Sequence, residues 1–315
     1  MLITQTPLRI SLFGGGTDFP SYYKEHGGCA FSTAIDKYIY VVIKPRVDHR
    51  IRISCTHIQT VSKVDSIKHD LIREAMKITK MPRGVEIYTM GDISAGTGLG
   101  SSSSVTVGLL KAMHEYVGNS VSQEQIAKEA CEIEINILKK PIGVQDQYIA
   151  SYGGFRFFDF KNETVSPCFD GRKLNERLLM FFTGTVRKAE SILTEQNNSI
   201  ERNTETLGGI SDIAHDALRR FSCGDYDGLG HLLYVSWNLK KKFASNISND
   251  KIDYMYNLAL KAGALGGKIT GAGGGGYLLV YSPPEKRDSV RKALRKYREL
   301  PFNFEPDGSK VIFNK

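Results

Sequence analysis

The sequence predicts an α+β protein of two domains facing a cleft, and three observations carry that expectation. Strand patterns are interleaved with pairs of helix patterns in both halves of the chain. The 315-residue length suits one large or two medium domains. A polar turn between Val165 and Lys173 separates the halves, placing the domains at residues 1–172 and 173–315.

The first third reads as strands and turns. Leu8–Phe13 is an apolar strand entering Gly14-Gly15-Gly16, and Ala30–Ile35 and Tyr38–Ile43 are apolar runs joined by Asp36-Lys37. Ile51–Cys55 alternates as a short strand, Val64–Ile78 has helical periodicity, and Val85–Tyr88 returns to strand. Two helices follow, Ser102–Val117 and Gln123–Leu138. The second is introduced by Ser122 with Gln125 at capping-box spacing, and Pro141 lies beyond its end.

Gly153-Gly154 breaks the chain before a strand at Phe155–Phe160, and Leu178–Phe182 is a strongly apolar strand. Helical patterns then cover Lys188–Glu195, Leu207–Phe221, Asp225–Lys242 and Lys251–Ala262. A strand–loop–strand unit, Lys268–Tyr281, precedes a basic helix at 285–298 and a last strand near Val311. In the basic helix Val290, Leu294 and Tyr297 form one packed face beneath a solvated charged one.

Composition narrows the function classes. The formal charge of +8 favours anionic partners, for which a phosphorylated metabolite serves as well as nucleic acid. Basic and aromatic side chains are not interleaved as single-strand binding requires, so no nucleic-acid partner is expected. No apolar run approaches the roughly 20 residues that cross a bilayer, so no membrane partner is expected either. Five scattered cysteines without a CxxC pair, behind a start that lacks a signal-peptide pattern, imply reduced thiols and a cytoplasmic protein. No HExxH or Cys/His ligand spacing appears, which argues against zinc. Homo-oligomers are common, so a homodimer is a fair expectation, with no interface located.

The most informative stretch is Ser94-Ala95-Gly96-Thr97-Gly98-Leu99-Gly100-Ser101-Ser102-Ser103-Ser104. A flexible Gly/Ser loop is the plain alternative, but this one follows a strand and opens directly into an apolar helix. Free N–H groups of the first helical turn would face the glycines and donate to phosphate oxygens. The serines add hydroxyls able to reach phosphate or magnesium. A Walker A loop is excluded because no Lys-Ser/Thr pair follows the glycines, and GxGxG fits a dinucleotide fingerprint poorly.

Gly98-Leu99-Gly100-Ser101-Ser102-Ser103 resembles the phosphate loop of the GHMP kinases, although Ser94 stands where the family usually has proline before the loop. Pro7-Leu8-Arg9-Ile10-Ser11-Leu12-Phe13-Gly14-Gly15-Gly16-Thr17-Asp18 resembles the family's first motif, and Lys268-Ile269-Thr270-Gly271-Ala272-Gly273-Gly274-Gly275-Gly276 its third. The three motifs occur in the family's order. The resemblance implies an N-terminal domain like ribosomal protein S5, a ferredoxin-like C-terminal domain and an active site in the cleft. It further implies ATP and Mg2+ as cofactors, with the nucleotide on Ala95, Gly96, Thr97, Gly98, Leu99, Gly100, Ser101, Ser102 and Ser103.

Two acids fall near the middle of the chain. Read alone, Glu134 is equally a solvated helix residue and Asp146 a helix cap. The segment Gly143-Val144-Gln145-Asp146-Gln147 resembles the one that carries the family's catalytic aspartate, which makes Asp146 the expected base. Glu134, with Ser102, matches the magnesium ligands; Glu132 and Ser101 are the nearest rivals. Arg9 matches the cation near the reacting hydroxyl, expected to stabilise the transferred phosphoryl or favour the charged form of Asp146.

For the substrate, Gly14, Gly15, Gly16, Thr17 and Asp18 are expected around the sugar, with Gly273 and Gly274 closing beside the phosphates. Galactokinases carry Gly-Glu-His before their Thr-Asp, so galactose is not expected. The first motif, the serine run and Thr183-Gly184-Thr185-Val186-Arg187 resemble the branch that phosphorylates the anomeric hydroxyl of D-glycero-D-manno-heptose 7-phosphate, on the route to a GDP-activated heptose. A phosphorylated small-molecule sugar then needs a cationic clamp, for which Arg187 is chosen, with Lys188 beside it. The remaining alternative is an anomeric kinase for another sugar, such as fucose or an octose phosphate.

Overall fold

The computed structural model describes residues 1–186 and 189–315. Its first half contains β1 (Leu2–Phe13), α1 (Pro20–His26), β2 (Cys29–Pro45), β3 (Ile51–Ser54), β4 (Ile58–Val61), α2 (Asp70–Ile78), β5 (Val85–Gly91), α3 (Ser101–Tyr116) and α4 (Gln123–Cys131). Then come α5 (Gln145–Tyr152), β6 (Phe155–Asp159), β7 (Thr164–Val165), α6 (Arg172–Asn175) and β8 (Leu178–Phe182). The remainder comprises α7 (Ala189–Asn198), α8 (Thr204–Cys223), α9 (Tyr226–Phe243), α10 (Asp250–Lys261), β9 (Gly266–Ile269), β10 (Tyr277–Tyr281), α11 (Arg287–Ala293) and β11 (Lys310–Asn314).

Two sheets organise these elements. The larger runs β11-β1-β2-β5-β3-β4, with β6 also on β2 and β7 on β6; the smaller runs β8-β10-β9. The long strand β2 pairs with β1 along one edge, while its other edge is divided between β6 at Cys29–Thr33 and β5 at Ile39–Pro45. The helix α3, apolar on most sides, is buried against β1 and β2. Leu8, Ile10, Leu12 and Phe31 of the large sheet share one core with Met180, Leu279 and Tyr281 of the small sheet and Leu233 of α9. That shared core holds the two layers against each other, and the α+β two-layer class stands as expected.

Several boundaries differ from expectation. Asp36-Lys37 does not join two strands but lies inside the continuous β2, at a register shift where Leu8 pairs with Ile35 and Pro7 with Tyr38. The extra residues are tied down by Asn303, whose backbone N–H and side-chain amide both donate to the Asp36 carboxylate. The helix expected from Val64 starts only at Asp70, after a short 3-10 turn, because His69 caps it by accepting from the Ile72 N–H. The basic helix ends at Ala293, although Val290 and Leu294 are buried as its spacing implied. The last strand, β11, pairs antiparallel with β1 and so returns to the first sheet.

One deviation shapes the site. The expected helix Gln123–Leu138 begins as anticipated, with Ser122 Oγ accepting from the Gln125 N–H at 3.1 Å. After Cys131 it widens to a π-helical turn over Glu132–Ile137. Such a turn inserts one residue and rotates the rest of the helix about its axis.

Candidate active site

The glycine loop and first motif meet at Arg9. This β1 residue is 5% exposed, and its backbone N–H donates to Leu99 O at 3.0 Å. Its Nε and Nη2 donate to the two Asp146 oxygens at 2.7 and 2.6 Å, and Nη1 to Gly98 O at 2.6 Å. One guanidinium therefore holds the first strand, the phosphate-loop backbone and the carboxylate of α5 together, in the fork geometry that suits arginine.

Gly100, in a left-handed conformation, precedes α3, whose first backbone bond runs from the Ser104 N–H to Gly100 O. The N–H groups of Ser101, Ser102 and Ser103 lie ahead of that ladder, as an anion-binding helix terminus requires. Gly98 has φ +79°, and a Cβ there would stand 2.4 Å from Thr270 O of the third motif. The two glycine loops thus touch backbone to backbone.

Below the loop the π turn directs Glu134 inward. Its side chain is fully buried, whereas Glu132 is exposed and accepts a hydrogen bond from Asn136. Ser102 Oγ donates to Glu134 Oε1 at 2.7 Å and Gln147 Nε2 donates to Oε2 at 2.8 Å. Lys140 Nζ lies 3.6 Å from Oε1 and 3.3 Å from Ser102 Oγ. Ser102 and Glu134, expected from the motifs to share a magnesium ion, are thus in hydrogen-bond contact with each other.

Asp18 is buried beside this group. Its oxygens accept from Gly16 N at 3.0 Å and Gln145 N at 3.3 Å, while Val144 N donates to its carbonyl. Gly143 makes room for it, since a Cβ there would lie 2.0 Å from Oδ2. Burial raises the Asp18 pKa above the usual carboxylate value; the Gly16 N–H opposes that rise and the Asp146 charge adds to it.

Most of these residues line one cleft of about 1030 Å3 between the layers, with Glu134 and Gln147 buried behind Ser102. Arg9, Gly15, Gly16, Asp18 and Asp146 form its floor, and Ala95, Gly96, Gly98, Gly100, Ser101, Ser102 and Ser103 one wall. Other expected contacts lie behind that surface. Gly14 and Thr17 make the turn itself, Thr17 Oγ1 donating to Gly14 O and Cys29 O. Thr97 is buried, its carbonyl accepting from Thr270 Oγ1, and Leu99 belongs to the shared core. Gly273 and Gly274 pack on Ile247, whose carbonyl accepts from the Gly274 N–H, and it is Gly271 and Ala272 that face the cleft. Arg187 and Lys188 lie outside the described residues.

Sequence reading missed Lys140, Gln147 and Lys240. The first two flank the recognised acids, so their signal was proximity alone. Lys240 heads the run Lys240-Lys241-Lys242 and reads as helix-end surface charge, yet it shares a spacing of four and three with the buried Leu233 and Trp237. The cleft also extends past the loop between α2 and β5, where Leu71, Met90 and Ile93 line it; no sequence pattern marked that end.

A helix terminus with free N–H groups, an acid–guanidinium pair and two touching glycine loops meet in this cleft, and the chain belongs to the GHMP kinases. The model of the N-terminal domain of GHMP kinases matches residues 66–154, and that of the C-terminal domain matches 214–300. The chain is accordingly an ATP-dependent kinase of that family. It is 32% identical to the D-glycero-alpha-D-manno-heptose 7-phosphate kinase of Campylobacter jejuni, over 98% of this chain and 97% of the relative. A crystal structure described as a D-glycero-D-manno-heptose 1-phosphate kinase from Bacteroides thetaiotaomicron superposes with a TM-score of 0.83 at 26% identity, over 100% of both chains. The mevalonate kinase of Thermococcus sibiricus is 25% identical, over 95% of this chain and 94% of the relative.

Proposed function

We propose that this protein transfers the γ-phosphoryl group of ATP to the anomeric C1 hydroxyl of D-glycero-D-manno-heptose 7-phosphate, giving the 1,7-bisphosphate. The observation that carries the reading is the Arg9 fork, which joins the Asp146 carboxylate to the Gly98 carbonyl of the phosphate loop. Phosphoryl transfer depends on positioning and charge more than on covalent work by the protein. Asp146 orients the attacking hydroxyl and accepts its proton as the new P–O bond forms, while Arg9 faces the charge on the phosphoryl group. Asp18 and the backbone at Gly15 and Gly16 take sugar hydroxyls. The N–H groups of Ser101–Ser103 take nucleotide phosphates, and the apolar end at Leu71, Met90 and Ile93 takes the base.

The chemistry of the donor set fits Mg2+. Among the described residues no group of three or more His, Cys, Asp or Glu side chains converges. Magnesium needs no such cage, because one or two carboxylates complemented by substrate phosphates and water suffice. Glu134 and Ser102 supply a buried carboxylate and a hydroxyl beside the loop. The ion would offset phosphate charge there.

The heptose assignment draws on the 32% identity to the Campylobacter relative across nearly the whole chain. The two heptose-kinase names differ in where they put the phosphate, at position 7 or position 1. A 7-phosphate on the substrate calls for a clamp, the role assigned to Arg187. All five cysteines are free, in keeping with a reducing cytoplasmic setting. An ATP-consumption screen with heptose 7-phosphate, free heptose, fucose, galactose and mannose, followed by NMR of the product, tests the reading. Turnover with heptose 7-phosphate and phosphorus coupled to the anomeric proton is the expected result. Preference for an unphosphorylated sugar, or phosphate on another carbon, would overturn the substrate assignment.

A further inference from the structure

One buried cation in the cleft has no part in the chemistry above. Lys240, on α9, is buried on the same face as Leu233 and Trp237 and lines the cleft. Its Nζ donates to Gly271 O at 2.6 Å, its one hydrogen bond among the described residues, although an ammonium carries three donors. The acids that face it are Asp18 and Asp146, and the cations are Arg9 on β1 and Lys268 on β9. None of those carboxylates lies within ion-pair distance among the described residues. Lys268 likewise donates to a single carbonyl, Leu12 O at 3.0 Å, but it does not line the cleft, so Lys240 alone of the two meets a ligand there. Buried charges are ordinarily paired, so a cation held by a single carbonyl is suited to an incoming anion.

Its location says which anion. Gly271 lies against the phosphate loop, where a Cβ on it would stand 2.7 Å from Gly98 Cα. Arg9 donates to the carbonyl of that same Gly98. The two cations therefore each hold a carbonyl at the point where the glycine loops meet, in the cleft that Asp146 and Asp18 also line.

We propose that Lys240 is a second cation at the phosphoryl-transfer point, contacting the oxygens of the phosphoryl group as it passes from nucleotide to acceptor. The inference rests on the kinase reading of the cleft. As the bond from the γ-phosphorus to the ADP oxygen breaks, its electron pair stays with ADP. The bond to the sugar oxygen forms, and the hydroxyl proton passes to Asp146. Lys240 transfers no proton; it supplies positive charge in addition to that of Arg9, with Gly271 O fixing its position beforehand. Burial, followed by the Arg9 charge, pushes the Lys240 ammonium down to about 8, and an anion between the two cations relieves that repulsion.

The test is calorimetric binding of Mg-ADP with and without aluminium fluoride, a mimic of the phosphoryl group in flight, to the wild type, Lys240→Met and Lys240→Arg. The fluoride complex should bind the wild type more tightly than Mg-ADP does. Lys240→Met should lose about 10²-fold of that tightening while keeping its Mg-ADP affinity, and Lys240→Arg should recover part of it. In steady state, kcat/KM for the wild type should fall above about pH 8, and Lys240→Arg should lack that alkaline limb. Undiminished tightening in Lys240→Met, or none in a wild type that binds Mg-ADP, would overturn the inference alone. A wild type that fails to bind Mg-ADP would overturn the kinase reading and the inference with it.

Discussion

Arg9 shows how much one side chain can position, since it fixes both Asp146 oxygens and the Gly98 carbonyl with three nitrogens. Arg9→Lys keeps the charge but not the fork, so kcat should fall in the order wild type, Arg9→Lys, Arg9→Ala. The alanine variant should lose about 10²–10³-fold, checked by steady-state kinetics. Lys240 makes a stability prediction of the opposite sort. Its folded pKa of about 8 lies below the ordinary lysine value of 10.5, so the charged form opposes folding throughout the range below 8. As pH rises from about 8 to 10.5 the unfolded chain binds the extra proton and that cost disappears. Lys240→Met should therefore be more stable than the wild type at pH 7, by about 3 kcal/mol, and its advantage should shrink toward pH 10. Thermal unfolding across that range checks both sign and window. Arg9, Asp146 and Glu134 were legible because they sit in or beside recognisable motifs. Lys240 was not, because its lysine neighbours mask the apolar stripe to which it belongs.

At the scale of elements, the π turn at Glu132–Ile137 decides which acid enters the site. A periodic reading saw one uniform helix, since the apolar residues of Ile133-Glu134-Ile135-Asn136-Ile137 cannot reveal a single inserted backbone position. The inward choice of Glu134 came from the family motif, not from spacing. Glu134→Gln should lower turnover and raise the Mg2+ concentration needed for half-maximal rate, while Glu132→Gln should leave both unchanged. A magnesium titration of each variant decides the matter. The phosphate loop gives a second expectation, because any side chain at Gly98 meets Thr270 O and an unfavourable φ of +79°. Gly98→Val should unfold cooperatively yet bind ATP at least about tenfold more weakly by calorimetry, the loop having moved away from the helix terminus.

Over the whole molecule, the two sheets share a core and place their glycine loops in contact above it. The class of the fold and the order of its motifs were readable because strand and helix periods survive in sequence. Two long-range features were not, the return of β11 to β1 and the depth of the cleft beside α2, since neither leaves a local pattern. Removal of residues 310–315 should lower the melting temperature, by uncovering the pairing edge of β1 at Leu2–Gln5, with activity retained at low temperature.

In the proposed reaction Asp146, held by Arg9 beside the phosphate loop, acts on the hydroxyl that receives the phosphoryl group, and every other assignment in the cleft is arranged around that step. Steady-state kinetics of Asp146→Asn with ATP and heptose 7-phosphate probe it without an intermediary. A folded enzyme whose kcat falls by about 10²–10⁴-fold, with both KM values nearly unchanged, is expected. A folded Asp146→Asn enzyme that keeps about half the wild-type kcat would contradict this role.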